Sequence, residues 1–378
     1  MLRRLRPAAR LELIQLEDRS TPALVLAFDG TTLRLTESGI GSDNVTVTQV
    51  AGGLKIDLGT DKFDSGSNTG PLLTYSPGPG PGVSSSVVVT TGAGVNVSID
   101  TGSGSDVVTF GAGTLALSQV SLAGSGLGTV TLNDLSAASL TAATTTQLTV
   151  SAGASVDTTA GAMLSSGGDA TITGSVHAGG ALTVSATTLT FAGAVTAGSA
   201  AVTGGSIQVN DGGITTTGDQ TYTGPLALGA DATFSSTAAG AITFGGSVTG
   251  AGRALTVSTA GTTTLGGPVS VGTLAVTGGG PIQLNGGGVT TSGDQSYSGP
   301  VALGADATLM AGGGVTFAAA VDGPGGLSVT AAGLTLGGPV GGGTRLGFLT
   351  AMAPATINGG AVRTTGDQAW DGTVSVGA

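Results

Sequence analysis

Residues 218–234 read GDQTYTGPLALGADATF, and residues 293–309 read GDQSYSGPVALGADATL. The same opening returns as Gly366-Asp367-Gln368-Ala369-Trp370, giving offsets of 293 − 218 = 75 and 366 − 293 = 73 residues. A more diverged pair, ATITGSVHAGGALTVS at 170–185 and AITFGGSVTGAGRALTVS at 241–258, extends the periodicity backward. Residues from about 145 to 378 thus hold about three copies and the start of a fourth. Repeats of this kind signal a stacked array in which each unit buries its apolar face on a neighbour.

The repeat contains eight or nine short β-prone runs, among them TYTGPLAL, AITFGG, ALTVS and TLAVTG. Dividing 75 residues by nine gives about eight per strand and turn, so three strands make a rung of about 25. Alternation such as Leu255-Thr256-Val257 places Leu and Val inside and Thr outside. Glycine at the corners permits backbone angles that other residues avoid. The expected fold is all-β, a right-handed parallel β-helix, with an array of β-sandwich repeats as the alternative.

Composition agrees with this architecture. Of 378 residues, 72 are Gly, only 9% are charged and 39% are hydrophobic. Mean hydropathy is +0.39, too high for a disordered Gly-rich chain. Gly keeps no three-residue period, which excludes collagen. The last Glu is Glu37 and the last Lys is Lys62, so the later chain lacks good helix formers. From residue 65 onward, thirteen Asp face only Arg253, Arg345 and Arg363. That acidity disfavours nucleic acid and anionic membrane surfaces as partners. The absence of Cys removes disulfides and thiolate chemistry. No apolar run is long enough for a membrane helix.

Three segments follow: residues 1–22 as a targeting-like start, 23–86 as an N-terminal β region, and 87–378 as the solenoid. Arg3, Arg4, Arg6 and Arg10 make a basic start, but Glu12, Glu17, Asp18 and Arg19 interrupt the apolar stretch that a secretory signal requires. The run SPGPGPG at 76–82 marks a loop or linker.

Two resemblances bear on function. The repeat block 145–378, with its GDQTY…GPLALGADATF pattern, resembles repeats of bacterial filamentous-haemagglutinin-type and autotransporter-type surface proteins. The segment Leu16-Glu17-Asp18-Arg19-Ser20-Thr21-Pro22-Ala23 is similar to the N-terminal LEDR-x-TPA segment of large planctomycete extracellular proteins. Together they imply export, a cell-surface or extracellular setting in a bacterium, and contact with surface glycans or matrix. Neither a secretion-channel recognition domain nor a C-terminal membrane barrel is legible, and the chain stops soon after a repeat opens at Gly366, as a fragment of a longer protein would.

No constellation favours catalysis. His177 is the only histidine, too few for a triad or a multi-His metal site, and reads as an exposed residue. Asp219, Asp294 and Asp367 are repeat-equivalent, as are Asp231 and Asp306. Either they form a ladder of cation or glycan contacts along one edge, or they cap turns. Three rungs would separate equivalents by about 14 Å, too far to share a calcium ion, which favours capping.

Two segments echo the calcium-binding nonapeptide GGxGxDxUx: Gly39-Ile40-Gly41-Ser42-Asp43-Asn44-Val45 and Gly102-Ser103-Gly104-Ser105-Asp106-Val107-Val108. Such sites need adjacent turns, and each of these stands alone, well beyond one expected rung from the other, so each is expected to be a plain β-turn. The triplets 144–146, 215–217 and 262–264 are all Thr but irregularly spaced, which argues against a flat ice-binding array. Tyr222, Tyr297 and Trp370 share one repeat position, as core fillers or a rung-edge stack would and as a unique sugar site would not. The sequons at Asn44 and Asn96 read as chance in a bacterial protein.

The resulting expectation is a non-catalytic, adhesin-like surface scaffold without catalytic, metal or cofactor residues. A carbohydrate-active β-helix (polysaccharide lyase or hydrolase) and a calcium-stabilised surface module are the alternatives.

Overall fold

A computed structural model describes residues 23–377, apart from 38–41, 65–66, 68–70, 77–83, 92–93 and 112–114. The targeting-like segment 1–22 and most of SPGPGPG therefore lie outside the described residues. The protein is all-β, a solenoid of about 14 turns with parallel stacked strands. At roughly 4.8 Å per turn the stack rises about 65 Å.

Each coil has three sides, and the register of one side continues through coil after coil. On the first side Leu135, Val156, Val176, Val195 and Ile214 stack in sequence. On the second the column is Leu140, Ala162, Leu182 and Ala200, and on the third Leu148, Ala170, Leu189 and Ile207. Every one of these side chains is buried, and alternate residues face out, as period-two strands dictate. The cross-coil bonds from Ser185 to Ser165 and from Gly314 to Asp294 each span a sequence separation of 20. A coil is therefore shorter than counting strand signals suggests.

The difference has a visible cause. Strands such as Ser175–Phe191 and Val195–Val209 run through more than one side without a break. Corners hidden in extended backbone leave no turn signature, so strand counting from sequence finds too few sides.

The coils begin early in the chain. We label β1 (Ala23–Phe28), β2 (Thr32–Glu37), β3 (Asn44–Val50), β4 (Gly53–Asp57), β5 (Lys62–Phe63), β6 (Leu73–Ser76), β7 (Ser86–Thr90), β8 (Val95–Asp100) and β9 (Asp106–Phe110). Strands β2 and β3 pair in parallel with β8 and β9, so they already belong to the stack. The segment between β3 and β8 is an insertion. Within it β4 pairs antiparallel with β3, β7 with β4, and β6 with β7. Together with β1, antiparallel to β2, it covers one end of the stack with Leu24, Leu26, Ile56, Phe63 and Val87, each at most 1% exposed. Covering the end with paired strands protects an edge that would otherwise template aggregation.

Glycine acts at the corners mainly by letting coils approach. A Cβ on Gly246 would sit closer than 3.0 Å to the carbonyl oxygen of Gly224, and one on Gly267 would crowd that of Gly246 in the same way. Gly224, Gly246 and Gly267 thus form a column whose neighbours leave no space for a side chain. Gly246→Ala forces these backbones apart, and we expect a loss of roughly 1–3 kcal/mol, read as a lower urea midpoint with the far-UV spectrum of the remaining native state unchanged.

Candidate functional site

The repeated motif is where sequence and structure meet most closely. Gln220 is fully buried, and its Nε2 donates to the carbonyl oxygens of Ile214 (3.1 Å) and Ser235 (2.7 Å) and to Thr216 Oγ1 (3.1 Å). Tyr222 donates its hydroxyl to Gln220 Oε1 at 2.8 Å. One repeat later Gln295 makes the same set with Val289, Met310, Thr291 and Tyr297. The aromatic rings fill the core as expected, Tyr222 stacked on Phe244 at 5.2 Å and Tyr297 on Phe317 at 5.0 Å. Burial pushes both phenols up in pKa, so they stay neutral donors. The motif is a corner clamp that satisfies carbonyls on two successive coils.

The repeat-equivalent clamps do not lie on one edge. Gln220 continues the second side, between Ala200 and Ile242. That column then runs through Thr263, Ile282 and Val301, bypassing Gln295. Gln295 belongs instead to the first side, between Leu274 and Val315, and Gln368 follows Leu349 on the third. One repeat therefore covers three full turns and two further sides, and each copy of the motif appears on a different face. The alternative of a ladder of equivalent aspartates along one edge is thereby excluded, because Asp219, Asp294 and Asp367 sit on three different edges.

Capping is the role the structure gives four of the repeat-equivalent aspartates, but across coils rather than within a turn. Asp219 Oδ1 accepts the N–H of Ala241 and Asp294 Oδ1 that of Gly314, each at 2.8 Å. Asp231 accepts from Ala254 and Asp306 from Gly326 in the same way. Each carboxylate ties its corner to the corner one coil later.

Outward rows form the accessible faces. On the third side Thr46, Thr109, Thr131, Thr149, Thr171 and Thr190 stand in unbroken register. The all-Thr triplets of the sequence are not this row: Thr144, Thr216 and Thr263 turn inward and are buried. The neighbouring column is mixed, with Val107, Thr129, Gln147, Asp169 and Thr188, so the Thr row is a single file. The second side carries Thr141, Met163, Thr183, Ala201, Thr221, Thr243 and Thr264. A shallow depression of about 350 Å³ lies there, lined by Ser139, Thr141, Gly161, Met163, Ala181 and Thr183 among others. Met163, one of its lining residues, is 45% exposed.

His177 is exposed on the first side, between Asp157 and Thr196, with its Nδ1 2.6 Å from Thr196 Oγ1. Among the described residues no three or more His, Asp or Glu side chains converge, and no helix is long and apolar enough to cross a membrane.

The two nonapeptide-like segments are the largest departure from the sequence reading. Their Gly39–Gly41 part lies outside the described residues, but their aspartates are on adjacent coils. Asn44 and Val45 pair with Val107 and Val108, so Asp43 stacks beside Asp106. Asp43 N–H donates to Asp106 Oδ1 at 2.9 Å, Ser105 N–H to Ser42 Oγ at 3.1 Å, and Ser103 N–H to Glu37 Oε2 at 2.8 Å. Both aspartates face inward, Asp43 1% and Asp106 0% exposed. Burial first, then the charges of Asp106, Glu37 and Asp61, push the Asp43 carboxyl up to about 7.

Comparison with family models, with curated proteins and with solved structures returns no match. Function must be argued from these residues.

The clamp offers a direct check. Replacing Gln220 with Leu removes the bonds it gives to two buried carbonyls and to Thr216 Oγ1 and leaves the Tyr222 hydroxyl without its acceptor, at a cost of roughly 2–4 kcal/mol. Gln220→Leu is therefore expected to lower the urea midpoint clearly, whereas Gln208→Ala on the outer surface leaves it within error.

Proposed function

We propose that this chain is a non-catalytic display scaffold, an exported bacterial surface protein of adhesin type that contacts glycans or matrix through repetitive faces. The observation that carries the reading is the rotation of the repeat. Because each copy turns its equivalent residues onto a different side, the same side-chain types appear around the whole solenoid, which suits many weak contacts better than one unique cleft. Weak contacts add up when several engage a surface together. The outward rows of Thr, Ser and Gln supply neutral hydroxyl and amide groups, the chemistry that exchanges hydrogen bonds with sugar hydroxyls. The carboxylates of Asp219, Asp231, Asp294 and Asp306 are engaged on backbone N–H groups of the neighbouring coil, and a glycosidase needs a facing pair instead.

The test is an array of immobilised bacterial and host polysaccharides probed with the fluorescently labelled full chain, followed by incubation of every bound polysaccharide with the unlabelled chain. The expected result is retention that grows steeply with surface density, with no new reducing ends and no unsaturated uronate absorbance. Release of either product overturns the scaffold reading in favour of a hydrolase or lyase. A uniform failure to bind any surface removes the adhesive role.

A further inference from the structure

Stacking two carboxylates inside a solenoid is electrostatically costly unless something of opposite charge lies between them. Asp43 and Asp106 are buried one inward step before Val45 and Val108, where the apolar column of the third side starts, and Leu127 of the next coil pairs with Asp106. The acidic groups that act on Asp43, from β9, β2 and the segment after β4, are Asp106, Glu37 and Asp61, all of one sign. Both Asp43 oxygens and Asp106 Oδ2 are buried without a hydrogen-bond partner. Thr101 Oγ1, fully buried at the other end of the turn that leads to Asp106, lacks one as well. Only one other buried side-chain oxygen among the described residues is in that state, on Thr158. Native interiors rarely leave such atoms unpaired, and a cluster of them at one corner marks a missing ligand.

We infer that Asp43 and Asp106 hold a calcium ion between the first two coils of the solenoid, with Thr101 as a neutral donor of the same corner. The spacing fits. Stacked positions are about 4.8 Å apart, and two carboxylates that each reach about 2.4 Å bridge that gap with one ion. The donors are all hard oxygens, which select calcium or magnesium and not zinc or copper. Calcium accepts an irregular shell of carboxylate, hydroxyl and carbonyl oxygens, whereas magnesium keeps its waters and demands octahedral geometry. The ion also ties the insertion-bearing first coil to the rest of the stack, because Asp43 precedes β3 and Asp106 opens β9. The site does not depend on the surface role proposed above.

The experiment uses the full chain, stripped with EDTA and dialysed at pH 7.5. Calorimetric titration with calcium is expected to show one saturable site, and 1 mM calcium is expected to raise the melting temperature by roughly 5 °C, with magnesium giving less than half of that. Asp43→Asn and Asp106→Asn are expected to abolish both responses, while Asp169→Asn on the exposed third face keeps them. In EDTA the Asp43→Asn chain is expected to melt at or above the wild type, since it lacks the uncompensated charge, and in calcium the order reverses. If the wild-type chain binds no calcium and Asp43→Asn is equally stabilising in calcium and in EDTA, the two carboxyls merely share a proton and the assignment falls. Calcium binding that survives both substitutions overturns it too, as does magnesium acting equally well. Should the variants fail to fold, the wild-type titration and melting curves decide the matter alone.

Discussion

Coil-on-coil hydrogen bonding is the constraint from which the rest of this molecule follows. A parallel ladder fixes each residue against the one a coil earlier, so an inward position lies on an inward position and an outward one on an outward one. Apolar columns such as Val156, Val176, Val195 and Ile214 then form without any long-range coincidence. The same rule crowds the corners, where Gly224, Gly246 and Gly267 face one another's backbone at distances no side chain tolerates. It also makes every inward polar group a special case. Gln220 and Gln295 meet that demand with a full set of partners, and Asp43 and Asp106 do not.

Much of this is legible in the sequence, and the parts that are not share one reason. Alternation in short runs such as Leu255-Thr256-Val257 reports which residues face in, and the shared repeat position of Tyr222 and Tyr297 marks them correctly as core. Coil length is overestimated because corners inside strands such as Ser175–Phe191 carry no punctuation. The outer Thr row shows the effect in another form. Thr46, Thr109, Thr131, Thr149, Thr171 and Thr190 are unevenly spaced along the chain, yet they stand in strict register. Corners of variable length, and one inserted segment, absorb the differences, so regularity in space is written irregularly in sequence.

The acidic corner is hidden by the same mechanism on a larger scale. Its two aspartates are distant in the chain because β4 to β7 are inserted between the first and second coils. Their shared pattern, Gly-x-Gly-Ser-Asp, is visible, and adjacency is not. A repeated short motif flanking a segment with hairpin character, here Val47-Thr48-Gln49-Val50-Ala51-Gly52-Gly53-Leu54, is the signal that identifies it. The clamp misleads in the opposite direction. Nearly equal spacing of its three copies suggests equal placement, and the fractional number of turns in each repeat puts them on different sides.

That fractional number has a bearing on how such a chain can lengthen. A duplicated segment inserted into a solenoid must hand its last strand to the next coil without a gap, and a whole number of turns is the obvious way. Here a copy ends two sides beyond a whole turn, and the following copy simply starts from there. All three sides are built alike enough to accept the same opening residues, so the phase of a duplication relative to the turn does not matter. Genetic duplication can then add length in any whole number of sides rather than only in whole turns, and three successive additions restore the original orientation.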